Sequence, residues 1–206
     1  MFSFLNLMNF WIFGWAALGI VLCSSDIVKL CFGSDYVLPF NIPLVMAANF
    51  YIVGMLNAVW TFKNTLGLFR YGRFMQVALG FFNIILSIIL GTYWGLFGIL
   101  FATTLSRIFT STWYDPYAIF KYGFKKSPLL YLRRYIQYLL VLILSFTINF
   151  IVFRFIDGPL IIQIILKIIV CSIITNLVFF IVFHRTKEFG KFKTTLRNSI
   201  NILLKK

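Results

Sequence analysis

Six apolar stretches leave the chain almost no room for a soluble core. They cover residues 5–25, 42–62, 74–90, 95–113, 135–153 and 160–183. Each is about as long as the roughly 17–25 apolar residues that a membrane-spanning helix needs. Of the 206 residues, 61% are hydrophobic and only 12% are charged. A soluble domain of this length exposes too much surface to hide that apolar area. A bilayer removes the difficulty, because lipid is then the solvent. The sequence therefore predicts an all-α integral membrane protein with about six transmembrane helices.

The charges set its orientation. The net charge is +14, and the basic residues fall in the gaps between apolar runs. Lys63, Arg70 and Arg73 follow the second run. Lys121, Lys125, Lys126, Arg133 and Arg134 follow the fourth. Arg185, Lys187, Lys191, Lys193, Arg197, Lys205 and Lys206 follow the sixth. Alternating spans place all three groups on one side, which the positive-inside rule makes cytoplasmic. Both termini are then cytoplasmic, in a multi-pass membrane protein. The expected partner of this charge is an anionic inner leaflet rather than nucleic acid. Trp113, Tyr114 and Tyr117 suit an aromatic belt at that interface, with Lys121, Lys125 and Lys126 beyond it. Asp115-Pro116 is expected to break the fourth helix there, because the residue before proline disfavours the helical region.

Small residues predict close helix packing. Gly80, Asn83, Ser87 and Gly91 lie along one face of the third span. Gly95, Gly98, Ala102, Ser106 and Thr110 lie along one face of the fourth. The short link between them predicts a tight helical hairpin. The fifth and sixth runs hold mostly Ile, Leu, Val and Phe, and are expected to be peripheral. Residues 1–130 thus form a four-helix portion, 131–184 two peripheral helices, and 185–206 a basic amphipathic tail with apolar positions at Phe189, Phe192, Leu196, Ile200 and Leu203.

Polar residues inside the spans are the candidates for a substrate path: Arg107, Asn57, Asn83 and Lys167. Each has a plainer use, snorkelling for the cations and interhelical hydrogen bonds for the amides. Catalytic chemistry is poorly supplied. The acids are Asp26, Asp35, Asp115, Asp157 and Glu188, and His184 is the sole histidine. They form no carboxylate pair, nucleophile triad or metal spacing, so no enzyme activity, metal or cofactor is expected. Cys23, Cys31 and Cys171 make no disulfide framework.

Three segments carry a resemblance: NFW at residues 9–11, IVKLCFGSDYVLP at 27–39, and NIILSIILGTYWGLFGILFATTLSRIFTSTWYDPYAIFKYGFKKS at 83–127. In order and character they resemble the C-terminal part of bacterial polysaccharide flippases, the polysaccharide transport branch of the MOP (MATE-like) superfamily. The resemblance implies a partial MATE-like fold and the flipping of undecaprenyl-pyrophosphate-linked oligosaccharide repeat units for capsule or O-antigen. It implies lipid-linked oligosaccharide as substrate and a bacterial inner membrane as location. Polysaccharide assembly proteins or a missing N-terminal lobe become expected partners, since such flippases have about 12–14 spans and this chain has the pattern of a truncated or split reading frame. A portion of a MATE-type drug exporter and a non-transporting subunit or decayed fragment are the alternatives.

Overall fold

A computed structural model describes residues 1–191 and 194. Every element among them is helical, as backbone in lipid demands when no water can satisfy its polar groups. Among the described residues five segments, against the six spans expected, are long and apolar enough to cross a membrane: Phe2–Phe32, Asn41–Thr65, Leu68–Gly123, Leu129–Phe153 and Leu160–Phe183. The chain is a multi-pass membrane protein by this architecture. Its helices are α1 (Phe2–Phe32), α2 (Asn41–Thr65), α3 (Arg73–Phe109), α4 (Ser111–Ala118), α5 (Leu129–Phe153) and α6 (Leu160–Phe183).

Glycine and proline punctuate them. Gly33, at φ 97°, ends α1. Gly67 and Gly72, both at positive φ, bracket the short 3-10 turn Leu68–Arg70 between α2 and α3. Pro128 and Pro159 stand at the starts of α5 and α6, where a missing N–H costs no helical bond.

α3 is folded back on itself. Gly95 has φ 57° and ψ −135° in the middle of an otherwise helical run. The Asn83 amide donates to the Thr103 hydroxyl at 3.3 Å, whereas an unbroken helix would hold these residues about 30 Å apart. Residues 73–94 and 96–109 are therefore two antiparallel legs, and the expected hairpin is present. Its turn is a single residue, not the whole Gly91–Gly95 link. The second leg is shorter than a bilayer core of about 30 Å; α4 continues it after a break at Thr110.

That break corrects the sequence reading. Pro116 lies inside α4, and the backbone departs from helix at Thr110, with φ −115° and ψ −86°. The Thr110 N–H and hydroxyl both donate to the Ser106 carbonyl, at 3.2 and 2.7 Å, and the Thr112 hydroxyl reaches back across the break to the Arg107 carbonyl at 2.9 Å. A π-helical turn, Ile119–Gly123, follows α4 and leads the chain away.

α1 is the hub. It packs on α2 and α6, while α3 leans on α2 and α5 on α6. Phe10, fully buried, stacks on Tyr138 of α5 and meets Phe179 of α6, with ring centroids at 4.6 Å in both cases. Tyr51 and Met55 of α2 close the same cluster. α5 and α6 thus share the core of α1 and α2 through large aromatic side chains. Two indoles add a polar ladder between α1 and α6. Trp11 donates to Asn176 Oδ1 at 2.7 Å and Trp15 to Ser172 Oγ at 3.2 Å. By contrast, the first leg of α3 exposes Phe74, Val77, Phe81, Ile84 and Ile88.

Close approach of α1 and α2 rests on Gly54. A Cβ there would stand 2.0 Å from the Phe13 ring. Gly54→Ala should lower stability by about 1–3 kcal/mol, the usual cost of overpacking. Thermal unfolding in detergent checks this, and in a Phe13→Ala background, where the Cγ and Cδ1 that the new methyl would strike are gone, Gly54→Ala should recover most of that loss. No recovery would mean the contact is not the cause.

The amphipathic tail falls mostly on residues outside those described. Its first turn, residues 187–191, is helical. Glu188 pairs with Arg134 of α5 at 2.5 Å, and Phe189 stacks on Trp11 at 5.9 Å.

Candidate functional site

Polar side chains in an apolar bundle are either tied to each other or left available. The structure separates the two sets. Asn83 belongs to the first: it donates to Thr103 and accepts from Ser87 at 3.1 Å, so its amide binds the hairpin together. Lys167 is also tied. Its ammonium sits 2.6 Å from Asp26 of α1, with Phe153 beneath it. Asn149 donates to Thr175 and to the Ser145 carbonyl, between α5 and α6.

The second set lies along α2 and the second leg of α3. Asn49, Val53, Asn57, Thr61 and Asn64 recur every three or four residues, so they share one face of α2. Asn57, Thr61 and Asn64 are exposed. Asn49 Oδ1 is buried and has no hydrogen-bond partner among the described residues. Beside Asn49 is a cavity of about 390 Å³, closed by Val45, Phe50, Val53 and, from the second leg, Leu100. Arg107 stands seven residues after Leu100 and hence on the same face of that leg. Its Nε is buried and also lacks a partner. Asn49 thus lies where α2 meets the second leg, the exposed amides of Asn57 and Asn64 continue its face of α2, and Arg107 continues the face of Leu100. Amides suit hydroxyl-rich ligands, and a guanidinium suits phosphate or carboxylate.

A second, larger cleft of about 440 Å³ lies among α1, α2 and α5, reached by Ile108 and Thr112. Its walls are almost wholly apolar, with Tyr51 and Tyr135 the main polar contributors. It fits hydrocarbon rather than sugar.

The small-residue stripes divide. Gly98, Ala102 and Ser106 of the second leg are buried. On the first leg, Ser87 bonds Asn83, and a Cβ on Gly91 would meet Ile99 at 3.0 Å. Gly80 faces open space, and Gly95 is the turn. At the basic end, Trp113 is exposed with its indole N–H on the Phe109 carbonyl at 2.7 Å. Tyr114 and Tyr117 are half-buried, while Lys121, Lys125 and Lys126 are exposed. Lys121 donates to the Tyr117 hydroxyl at 2.5 Å.

One cluster was not foreseen. Asp115 is fully buried. It accepts from Lys63 at 2.7 Å and from the Trp60 indole at 3.0 Å. A Cβ on Gly72 would stand 2.8 Å from Lys63 Nζ and 3.2 Å from Asp115 Oδ1. The ion pair therefore joins α2 to α4 under the start of α3. Lys63 and Asp115 lie 52 residues apart, and no local spacing links them. The one signal in the sequence is an acid set among aromatic and apolar neighbours.

No family model matches the chain, and no curated protein or solved structure matches it significantly.

Proposed function

We propose that the chain is the C-terminal portion of a polysaccharide flippase in a bacterial plasma membrane, with the basic end and both termini cytoplasmic. In this reading it moves undecaprenyl-pyrophosphate-linked oligosaccharide repeat units outward for capsule, O-antigen or exopolysaccharide assembly, completed by a further lobe of a MATE-like fold. The observation that supports it is the open seam of α2 and α3. Asn57, Thr61 and Asn64 face out of the chain, and Arg107, on the face of the second leg that carries Leu100, keeps a buried nitrogen unpaired among the described residues. Exposed amides on a membrane-spanning helix call for a water-filled cavity or another polar helix. The amides are placed for sugar hydroxyls and Arg107 for a phosphate or an acidic sugar. Alternating access then comes from rocking of two lobes around the seam.

The test is complementation of a deletion strain, reading lipid-linked oligosaccharide held on the inner leaflet. Wild type should clear it. Arg107→Ala, at equal protein level, should slow export about tenfold or more, the loss of one charge-assisted hydrogen bond. Asn57→Leu should act in the same direction. Unchanged lipid-linked oligosaccharide on deletion would sink the reading in favour of a drug exporter or a non-transporting subunit. Altered sensitivity to cationic drugs would separate those two.

A further inference from the structure

A cavity of about 530 Å³ opens at the basic end, between the start of α1, the π-helical turn and the start of α5. Its inner wall is aromatic. Phe2 meets Phe62, Phe120 and Phe124 edge-on, with centroids at 5.3–5.5 Å. Two polar groups in the lining are almost fully buried and unpartnered. The Tyr131 hydroxyl belongs to a residue 5% exposed, Asn6 Oδ1 to one 1% exposed, and neither has a hydrogen-bond partner among the described residues. Each such orphan costs about 1–3 kcal/mol when nothing fills its place. Lys126 and Arg134 also line the cavity. The Lys126 backbone N–H is bonded to the Phe120 carbonyl at 2.9 Å, which fixes the loop that carries its ammonium. Arg134 shares its charge with Glu188, whereas Lys126 makes no ion pair among the described residues.

We propose that this cavity holds one anionic phospholipid whose headgroup bears a free hydroxyl, of the phosphatidylglycerol type. The phosphate lies against Lys126 and Arg134 and accepts from the Tyr131 hydroxyl. The glycerol hydroxyl donates to Asn6 Oδ1. The acyl chains leave along the phenylalanine wall. A lipid is the occupant that matches both halves of the cavity. A free phosphate would leave the aromatic wall uncovered, and a hydrocarbon chain alone would leave both orphans unpaired. The inference is independent of any transport activity, because the polar residues it uses, Asn6, Lys126, Tyr131 and Arg134, lie outside α2 and α3.

Lipid exchange on the full chain tests it, with native mass spectrometry of protein released from nanodiscs of phosphatidylglycerol or phosphatidylcholine. Wild type should retain phosphatidylglycerol about tenfold over phosphatidylcholine. Lys126→Gln and Tyr131→Phe should each remove most of that preference. Lys126 is exposed, so its variant decides the matter even if Tyr131→Phe fails to fold. Equal retention of the two lipids by wild type overturns the proposal, as does wild-type preference in the Lys126 variant. Displacement of the lipid by soluble glycerol phosphate at millimolar concentration also overturns it, since the site would then be one for the phosphate alone.

Discussion

Asp115→Ala is expected to cost about 3–5 kcal/mol and to loosen the whole basic end of the bundle. The reason is the charge left behind. Lys63 is 8% exposed and Asp115 fully buried, so removing the carboxylate strands an ammonium with no counter-charge. The Trp60 indole loses its acceptor in the same step. Removing both charges should be far milder. Lys63→Met with Asp115→Leu should fall within about 1–2 kcal/mol of wild type, because well-packed apolar pairs often replace buried ion pairs without loss. Asp115→Asn should lie between, keeping an acceptor for Trp60 but not the charge. Thermal unfolding of the four proteins in one detergent orders them. If Asp115→Ala melts with wild type, the pair is not holding α4 to α2.

The second large effect is expected at Gly98. A Cβ there would lie 1.9 Å from the Leu90 carbonyl oxygen and 2.4 Å from its carbon. These are backbone atoms of the opposite leg, and no rotamer change relieves the contact. Gly98→Ala should force the legs of α3 apart and cost about 3 kcal/mol, the upper end of overpacking. Two other glycines calibrate it. At Gly91 the Cβ would meet only the Ile99 side chain, at 3.0 Å, which can yield. At Gly80 it meets nothing, so alanine should be neutral or stabilise by up to about 1 kcal/mol through helix propensity. Equal melting of the Gly98 and Gly80 variants would contradict the hairpin geometry.

Apolar run length located the long helices, because backbone in lipid has few alternatives to helix, but the fourth of the six expected runs, 95–113, is broken at Thr110. The stripe Gly98, Ala102, Ser106 announced a buried face, and the structure buries it. What escaped was set by residues distant in sequence. The rule for residues before proline expects a break at Asp115, yet Asp115 is helical within α4. Its ion pair and the Trp60 bond secure it there, and the break moves to Thr110, whose hydroxyl caps Ser106. The depth of Lys167 was legible, but its partner Asp26 stands 141 residues away. Small-residue counting also says nothing about Phe10, where packing comes from interlocked rings. Of the candidate path, Asn57 and Arg107 remain available to a ligand, whereas Asn83 and Lys167 are occupied with neighbouring side chains.

The ladder of Trp11 and Trp15 on Asn176 and Ser172 works as a vernier. Both helices carry their polar groups four residues apart, so the seam has one register in which both indoles find acceptors. A slip of one turn, about 5.4 Å, would bring Trp15 opposite Ile168 or Trp11 opposite Phe180, neither of which offers a side-chain acceptor. One donor would be orphaned at about 1–3 kcal/mol, with Phe10 torn from its ring cluster as well. α1 and α6 therefore travel as a single slab, and sliding within the chain is confined to seams that carry no such teeth.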